Sequence, residues 1–471
     1  MDLIRPACST LTALFVALAT QAATTAQETP KQDDGPWRLS KALDTPEWFS
    51  ISGSVDLRYE SLDKRLREGE SGNNHGVFTR ALVEMSLRDT YLGANLEIID
   101  ARIFYEPDDA RVTTGQVDTV EVLQGYVDGR FQDVFAPGDR LRVQAGRHTM
   151  DVGSRRFVAR NIFRNTINAF TGLNAQWESQ DGATARAFFT LPVQRLPGGV
   201  DIDKLRDGEI EFDEERSSVR FFGLVGETPR GPLGASLQGY VYGLDESDAD
   251  GLTTRDRDLT TVGFRLNRPP ASEEVHFELE SAYQFGESRA SGSATEDLDH
   301  RAYLHHLTVG YTLPGEMNVR FDGLFDYASG DRDPSDGRNE RFDSLFGVPR
   351  GEYGPTGLFR EIARANVVSP GLRVTLRPAD RWAVMALFRA NYLASDRDAW
   401  TTTGIQDPTG RSGSHIGDLT ELRVRYALVP KVSRLEFGVA YHSAGGFAET
   451  ASTGNGGRDA LYGYVQTTFW F

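Results

Sequence analysis

Cysteine is all but missing from this 471-residue chain, which has one, Cys8. Cys8 precedes the apolar run and is not at a cleavage site, so a lipoprotein anchor is not expected and the processed chain would carry no thiol. Disulfides, CxxC redox chemistry, thiolate metal sites and a cysteine nucleophile are excluded with it. Long hydrophobic runs are also missing. The longest, Leu11 to Ala19, is about half of the roughly 20 residues a spanning helix needs. With a negative mean hydropathy as well, helical membrane topology is excluded. Basic charge is short: Lys+Arg 51 against Asp+Glu 68 gives a net charge of -17, which argues against nucleic acid as a general partner. There is no G-x-S-x-G, P-loop or H-E-x-x-H. Neither enzymatic activity nor a cofactor is expected, and Asp299-His300 is the only adjacent pair with catalytic potential.

What is present begins at the N-terminus. Arg5, the run Leu11–Ala19 and the small residues of "TQAATTAQ" have the three-part form of a secretory signal. Residues 1–26 are expected to be the signal peptide and 27–47 a periplasmic N-terminal segment, with an outer-membrane β-barrel over 48–471.

Eighteen segments of that region alternate with period two, at 48–60, 77–88, 91–100, 118–129, 140–147, 169–178, 182–191, 217–227, 233–243, 258–268, 274–286, 302–313, 317–329, 366–377, 381–394, 416–429, 433–443 and 460–471. Connections after odd-numbered segments are long, roughly 14 to 36 residues, and those after even-numbered ones are mostly about two to five. That rhythm predicts an all-β, transmembrane antiparallel β-barrel of about 18 strands, with long extracellular loops and short periplasmic turns. Closure is physically required, because backbone amides facing lipid have no water to bond.

The faces agree. Ile51, Gly53, Val55, Leu57 and Tyr59 oppose Ser52, Ser54, Asp56, Arg58 and Glu60, and Leu422, Val424, Tyr426 and Leu428 oppose Glu421, Arg423 and Arg425. Aromatic residues near segment ends, Trp48, Tyr91, Trp177, Tyr311, Tyr327, Trp382 and Trp470, suit the membrane interfaces. The last segment, "LYGYVQTTFWF", is expected to close the sheet onto the first. Its final Phe471 resembles the signal that outer-membrane proteins present to the barrel assembly machinery.

A barrel of this size leaves an aqueous channel, so the polar face should line water. By strand parity that face carries Arg58, Arg80, Arg88, Arg142, Arg186, Arg220, Arg265, Arg320, Arg373, Arg377, Arg389, Arg423, Arg425 and Arg434, with almost no lysine. Acids share it, among them Asp56, Glu84, Glu97, Asp128, Glu278, Glu280, Asp322, Asp326, Glu421 and Glu436. Cross-strand pairing could neutralise both sets. An arginine surplus there would instead suit carboxylates or phosphates, which guanidinium forks bind at any pH. The loop stretches "DESDADGLTTRDRD" and "SGDRDPSDGRNERFD" miss EF-hand spacing and read as solvated loops near anionic lipopolysaccharide. His305 and His306 fall on opposite faces by alternation.

The stretches "LSKALDTPEWFSISGSVDLRYESLD", "AGRHTMDVGSRRFVARN", "FELESAYQFG", "DYASGDRDPSDGRNERFDSLFG" and "YHSAGGF", in this order, resemble the alginate export family across nearly the whole mature chain. The resemblance implies an eighteen-stranded passive channel in the outer membrane of a Gram-negative bacterium, conducting an anionic polysaccharide through an arginine-lined lumen. Its lumen arginines map best to Arg58, Arg142, Arg423 and Arg425, while Arg147, Arg155 and Arg156 lie in a stretch read as a loop folding toward the pore. Arg80, Arg88, Arg320, Arg373 and Arg389 complete the candidate set. Expected partners are outer-membrane lipid and lipopolysaccharide, the assembly machinery and a periplasmic polysaccharide-secretion scaffold, the channel itself being a monomer. Uptake of small carboxylates or sugars is the alternative reading.

Overall fold

The structure, a computed structural model, describes residues 35–198 and 202–471; the expected signal peptide lies outside the described residues. The wall consists of eighteen antiparallel strands: β1 Phe49–Leu62, β2 Asn74–Arg88, β3 Leu92–Phe104, β4 Asp118–Gln132, β5 Arg140–His148, β6 Phe170–Glu178, β7 Thr184–Gln194, β8 Val219–Thr228, β9 Ser236–Glu246, β10 Asp258–Arg268, β11 Val275–Ser288, β12 Leu298–Thr312, β13 Arg320–Ala328, β14 Val367–Leu376, β15 Trp382–Tyr392, β16 His415–Val429, β17 Ser433–Ala444 and β18 Ala460–Trp470. Each pairs with its sequence neighbours, and β18 closes on β1 with Val55 opposite Phe469 and Tyr59 opposite Val465. Beyond the strand end, the Gly53 amide bonds the Phe471 carbonyl at 3.0 Å. No helix among the described residues is long and apolar enough to cross a membrane; the strands cross instead.

All eighteen alternating segments are strands, and the differences are at their ends. β2, β4, β12 and β16 each run for 15 residues, beyond the nine to eleven that span the hydrocarbon. β12 starts at Leu298 rather than 302, so the wall rises further on the loop side and the loop before it shortens. The even connections are short turns, such as 89–91, 377–381 and 430–432. The odd connections are the outer loops, numbered here in chain order: loop 1 at 63–73, loop 2 at 105–117, loop 3 at 149–169, loop 4 at 195–218, loop 7 at 329–366, loop 8 at 393–414 and loop 9 at 445–459.

The lipid face is the exposed apolar row: Val55, Leu57 and Tyr59 on β1, and Val439 and Tyr441 on β17. Trp48, Tyr91, Tyr311 and Trp382 are exposed near the turn end, where an interfacial ring keeps one edge in water. The opposite row points into the barrel and is buried, because the lumen is filled.

The main apolar cluster lies inside the barrel. Inward residues of β6 to β9, Phe170, Phe188, Phe221, Tyr240 and Tyr242, pack against Phe157 and Val158 of loop 3 and Phe342, Tyr353 and Ile362 of loop 7. Loops 3 and 7 bond each other through their backbones: the Phe346 amide donates to Phe157 O at 2.9 Å, and the Ala159 amide to Phe346 O at 3.1 Å. Gly347 is required at this crossing, since a Cβ there would lie 1.7 Å from the Arg156 carbonyl oxygen. On the turn side, Arg38 of the N-terminal segment donates to Lys431 O at 2.8 Å and Trp470 O at 3.3 Å.

Candidate functional site

Period-two geometry places most of the candidate wall arginines inside the barrel, where many meet acids; Arg220, beside the inward Phe221, instead faces out and pairs with Asp245 at 3.1 Å. Arg58 bonds Glu60 at 2.7 Å and is sandwiched by the rings of Phe163 and Phe78, at 4.4 and 5.3 Å. Arg80 pairs with Asp56 at 2.5 Å and also donates to the Ile162 carbonyl of loop 3 at 2.6 Å. Arg142 meets Asp128 at 3.1 Å. Asp322 takes both Arg373, at 2.7 Å, and Arg320, at 3.3 Å. Arg389 lies 2.8 Å from Asp326 with both side chains fully enclosed. Buried charges survive only when paired and hydrogen-bonded, so these pairs are structural parts of the wall.

Three candidates are placed differently from the sequence reading. Arg147 belongs to β5 and not to a loop; it holds Glu121 at 2.6 Å and Glu215 of loop 4 at 2.8 Å. Arg88 is exposed at the turn end of β2, where the strand leaves the wall, and so sits at the periplasmic rim outside the bore. Arg155, in loop 3, pairs only with its neighbour Asp151, at 2.8 Å. Its neighbour Arg156 does reach the lumen. It holds Glu278 of β11 and Glu352 of loop 7 at 2.5 Å each, and Glu280 as well. Burial opposes its charge, but Glu278, Glu352 and Glu280 outweigh burial and hold it well above the ordinary guanidinium value. Arg156 thereby ties loop 3, loop 7 and the wall together.

The cationic surplus sits at two places. On β16 and β17, Arg423, Arg425 and Arg434 face inward around Glu436: Arg425 pairs with it at 2.5 Å, while Arg423 and Arg434 form no ion pair among the described residues. Arg434 lies over the Trp470 ring at 5.2 Å. The nearby Glu421 is engaged by Arg350 of loop 7 at 2.7 Å.

The second place is a solvent-open cavity among the outer loops. Arg58, Arg65, Arg67, Arg111, Arg164 and Arg360 line it, with Glu70 as the one lining carboxylate. Parity could not find Arg67, Arg111, Arg164 or Arg360, because loops have no period. The one legible signal was arginine recurring in loops where acids otherwise dominate.

His306 is buried against Asp326 at 2.7 Å while His305 faces out and stacks on Tyr327, as alternation required. His300 is enclosed with Ser288 and Gln284, and Asp299 pairs with Arg301 at 2.7 Å, so the adjacent Asp299-His300 pair points to opposite sides of the sheet. Asp118, Glu121 and Asp213 form a buried carboxylate group whose negative charge Arg147 and Arg195 offset from the same small cavity.

A closed barrel of this strand number with short turns at one end and lumen-filling loops at the other defines the class: an outer-membrane β-barrel channel of porin type. A family model described as "Alginate export" matches residues 47–459. The chain belongs to the alginate export family. No curated protein matches it in sequence. Among solved structures it is similar to Acinetobacter baumannii OccAB1, with TM-score 0.56 and 12% identity over 94% of this chain and 99% of that one. Pseudomonas aeruginosa opdK gives TM-score 0.55 and 8% identity over 90% and 98%. OccD3 (OpdP) of the same organism gives 0.54 and 12% over 90% and 91%. At such identities the likeness is one of fold.

Proposed function

We propose that this outer-membrane channel passively conducts an anionic polysaccharide such as alginate from periplasm to exterior. The observation that carries the reading is the lumen surplus on β16 and β17, where Arg423, Arg425 and Arg434 face Glu436, with Glu421 beside them taken by Arg350, and where Arg423 and Arg434 have no ion pair among the described residues. Low-dielectric walls focus that field on passing ions and raise the local concentration of anions. Guanidinium forks match carboxylates and stay charged at every physiological pH. Membership of the alginate export family supports a uronate polymer as the anion. The channel moves its solute without chemistry: the lumen histidines and carboxylates are engaged with each other and with arginines, as the pairs of His306 and Asp326 illustrate.

One observation favours uptake of small carboxylates or sugars instead: loops 3 and 7 pack into the lumen and narrow the passage. Flux into liposomes separates the two. Entry of fluorescent uronate oligomers of increasing length, with neutral dextrans excluded, supports the polymer channel; entry of monouronates with rejection of every oligomer supports small-solute uptake.

A further inference from the structure

We propose that the outer-loop cavity is a saturable binding site for a carboxylate-bearing sugar, separate from the β16–β17 arginines. The inference deepens the anion-channel reading and rests on it.

Five loops converge on the cavity: loop 1 through Arg67, loop 2 through Arg111, loop 3 through Arg164, loop 7 through Arg360 and loop 8 through Thr403. Arg58 and Arg65 on its wall are ion-paired, with Glu60 at 2.7 Å and Asp109 at 2.8 Å. The other four arginines are not. Arg67, Arg111 and Arg360 make no side-chain hydrogen bond or ion pair among the described residues, and Arg164 reaches only Thr166 O at 3.1 Å and the Asn168 amide oxygen at 2.5 Å.

Buried donors on the same wall are also unmet. Arg58 Nη2, Arg65 Nε and Thr356 Oγ1 have no hydrogen-bond partner among the described residues, although these side chains belong to residues only 2%, 6% and 7% exposed. A buried polar group left unsatisfied costs about 1–3 kcal/mol, more when charged, so a cluster of them in one cavity calls for a ligand that accepts. Burial, and then the neighbouring Arg195 and Arg360, push Arg164 well below its ordinary value. Burial and Arg67 lower Arg360 as well. A bound anion relieves both costs at once.

The lining also says what kind of anion. Leu62, Leu66, Phe78 and Phe359 give the wall an apolar part beside the guanidiniums, and Asn74 and Gln116 add amides. Inorganic sulfate or phosphate has no use for an apolar wall. A uronate uses all three parts: its carboxylate meets a guanidinium fork, its hydroxyls the amides and Thr356, and its C–H ring faces the phenyl rings.

The test uses the full-length protein in planar bilayers, with ligand added on the loop side. A uronate trisaccharide is expected to block the current saturably and a neutral trisaccharide is not. Arg67→Gln combined with Arg360→Gln is expected to raise the half-blocking concentration at least tenfold. Arg301→Gln, which removes a guanidinium paired with Asp299, is the control and leaves it unchanged. If the double variant fails to show heat-modifiable mobility, the exposed Arg111→Gln replaces it with the same expected direction. An unchanged half-blocking concentration overturns the proposal. So does equal block by inorganic sulfate, which reduces the cluster to unspecific positive charge. The reversal potential read in the same bilayers keeps the two readings apart: a cation-selective wild type refutes the anion channel, and an anion-selective channel with unchanged block refutes only the cavity site.

Discussion

Arg350 of loop 7 donates to Glu421 of β16 at 2.7 Å and reaches Glu436 of β17 at 3.4 Å. The longest loop is thereby fastened across the lumen to the strands that carry the unpaired Arg423. The carboxylates that fix its position are the same ones that offset the arginines of β16 and β17.

The crossing of loops 3 and 7 is testable at one atom. Gly347→Ala places a methyl 1.7 Å from the Arg156 carbonyl oxygen. Both sides of that contact are backbone, so one loop must shift, at a cost of about 1–3 kcal/mol. Faster hydrogen exchange at residues 155–159 and 346–348, with higher or noisier open-channel current, is expected. Unaltered exchange would show that the loops are not mutually braced.

Topology can be read from single cysteines placed in a Cys8→Ser background, since Cys8 is the chain's one native cysteine. Cysteines at Asn73, Asp250 and Ser335, all exposed in outer loops, should react with an impermeant maleimide added to intact cells. Cysteines at Pro314 and Ala379, exposed in the short turns, should react only after the outer membrane is opened. Labelling of Ala379→Cys in intact cells would contradict the strand orientation.

Loop 4 should seat more firmly at lower pH. Burial, and then Asp118, push the Asp213 carboxyl up to about 8, while Leu196 N donates to it at 2.8 Å. Glu121, Arg147, Arg195 and Glu215 surround the same cluster. With the folded value raised, the seated loop binds more protons than the released one between about pH 4 and pH 8, so its stability falls as pH rises through that window. Protease nicking within 195–218 is expected to increase from pH 6 to pH 9, and Asp213→Asn to flatten that rise. A flat wild-type profile would remove Asp213 from the seating of the loop.

Why the wall was legible and the plug was not follows from which side of each strand faces what. In β1 and β16 one row faces lipid and the other faces charge, so the residues from Ile51 to Glu60 and from Glu421 to Leu428 separate cleanly in sequence. In β7 to β9 both rows are apolar: Phe188 faces loop 3 and Phe189 faces lipid, and Phe221 and Phe222 repeat the arrangement. That loss of alternation marks where loops dock, yet it looks like a weaker strand. Parity found the right side of the wall for Arg80 and Arg389 but not the acids they meet, because register sets Arg80 against Asp56 across strands and the fold sets Arg389 against Asp326, and no sequence spacing records this. The cavity arginines come from loops far apart in the chain, and only the fold brings them together.

The central claim, a lumen whose arginine surplus on β16 and β17 selects anions, is tested most directly by the zero-current potential of the Arg423→Gln, Arg425→Gln double variant in a salt gradient. Wild type is expected to prefer anions, and the variant to shift toward cations. The shift should be larger in dilute salt, where the Debye length is about 30 Å at 0.01 M, than at 1 M, where it is about 3 Å. Arg434→Gln, beside the Trp470 ring near the turn end, should shift it less, since charge at the mouth is better screened. A cation-selective wild type, or a double variant whose reversal potential equals that of wild type at both salt concentrations, would contradict the account.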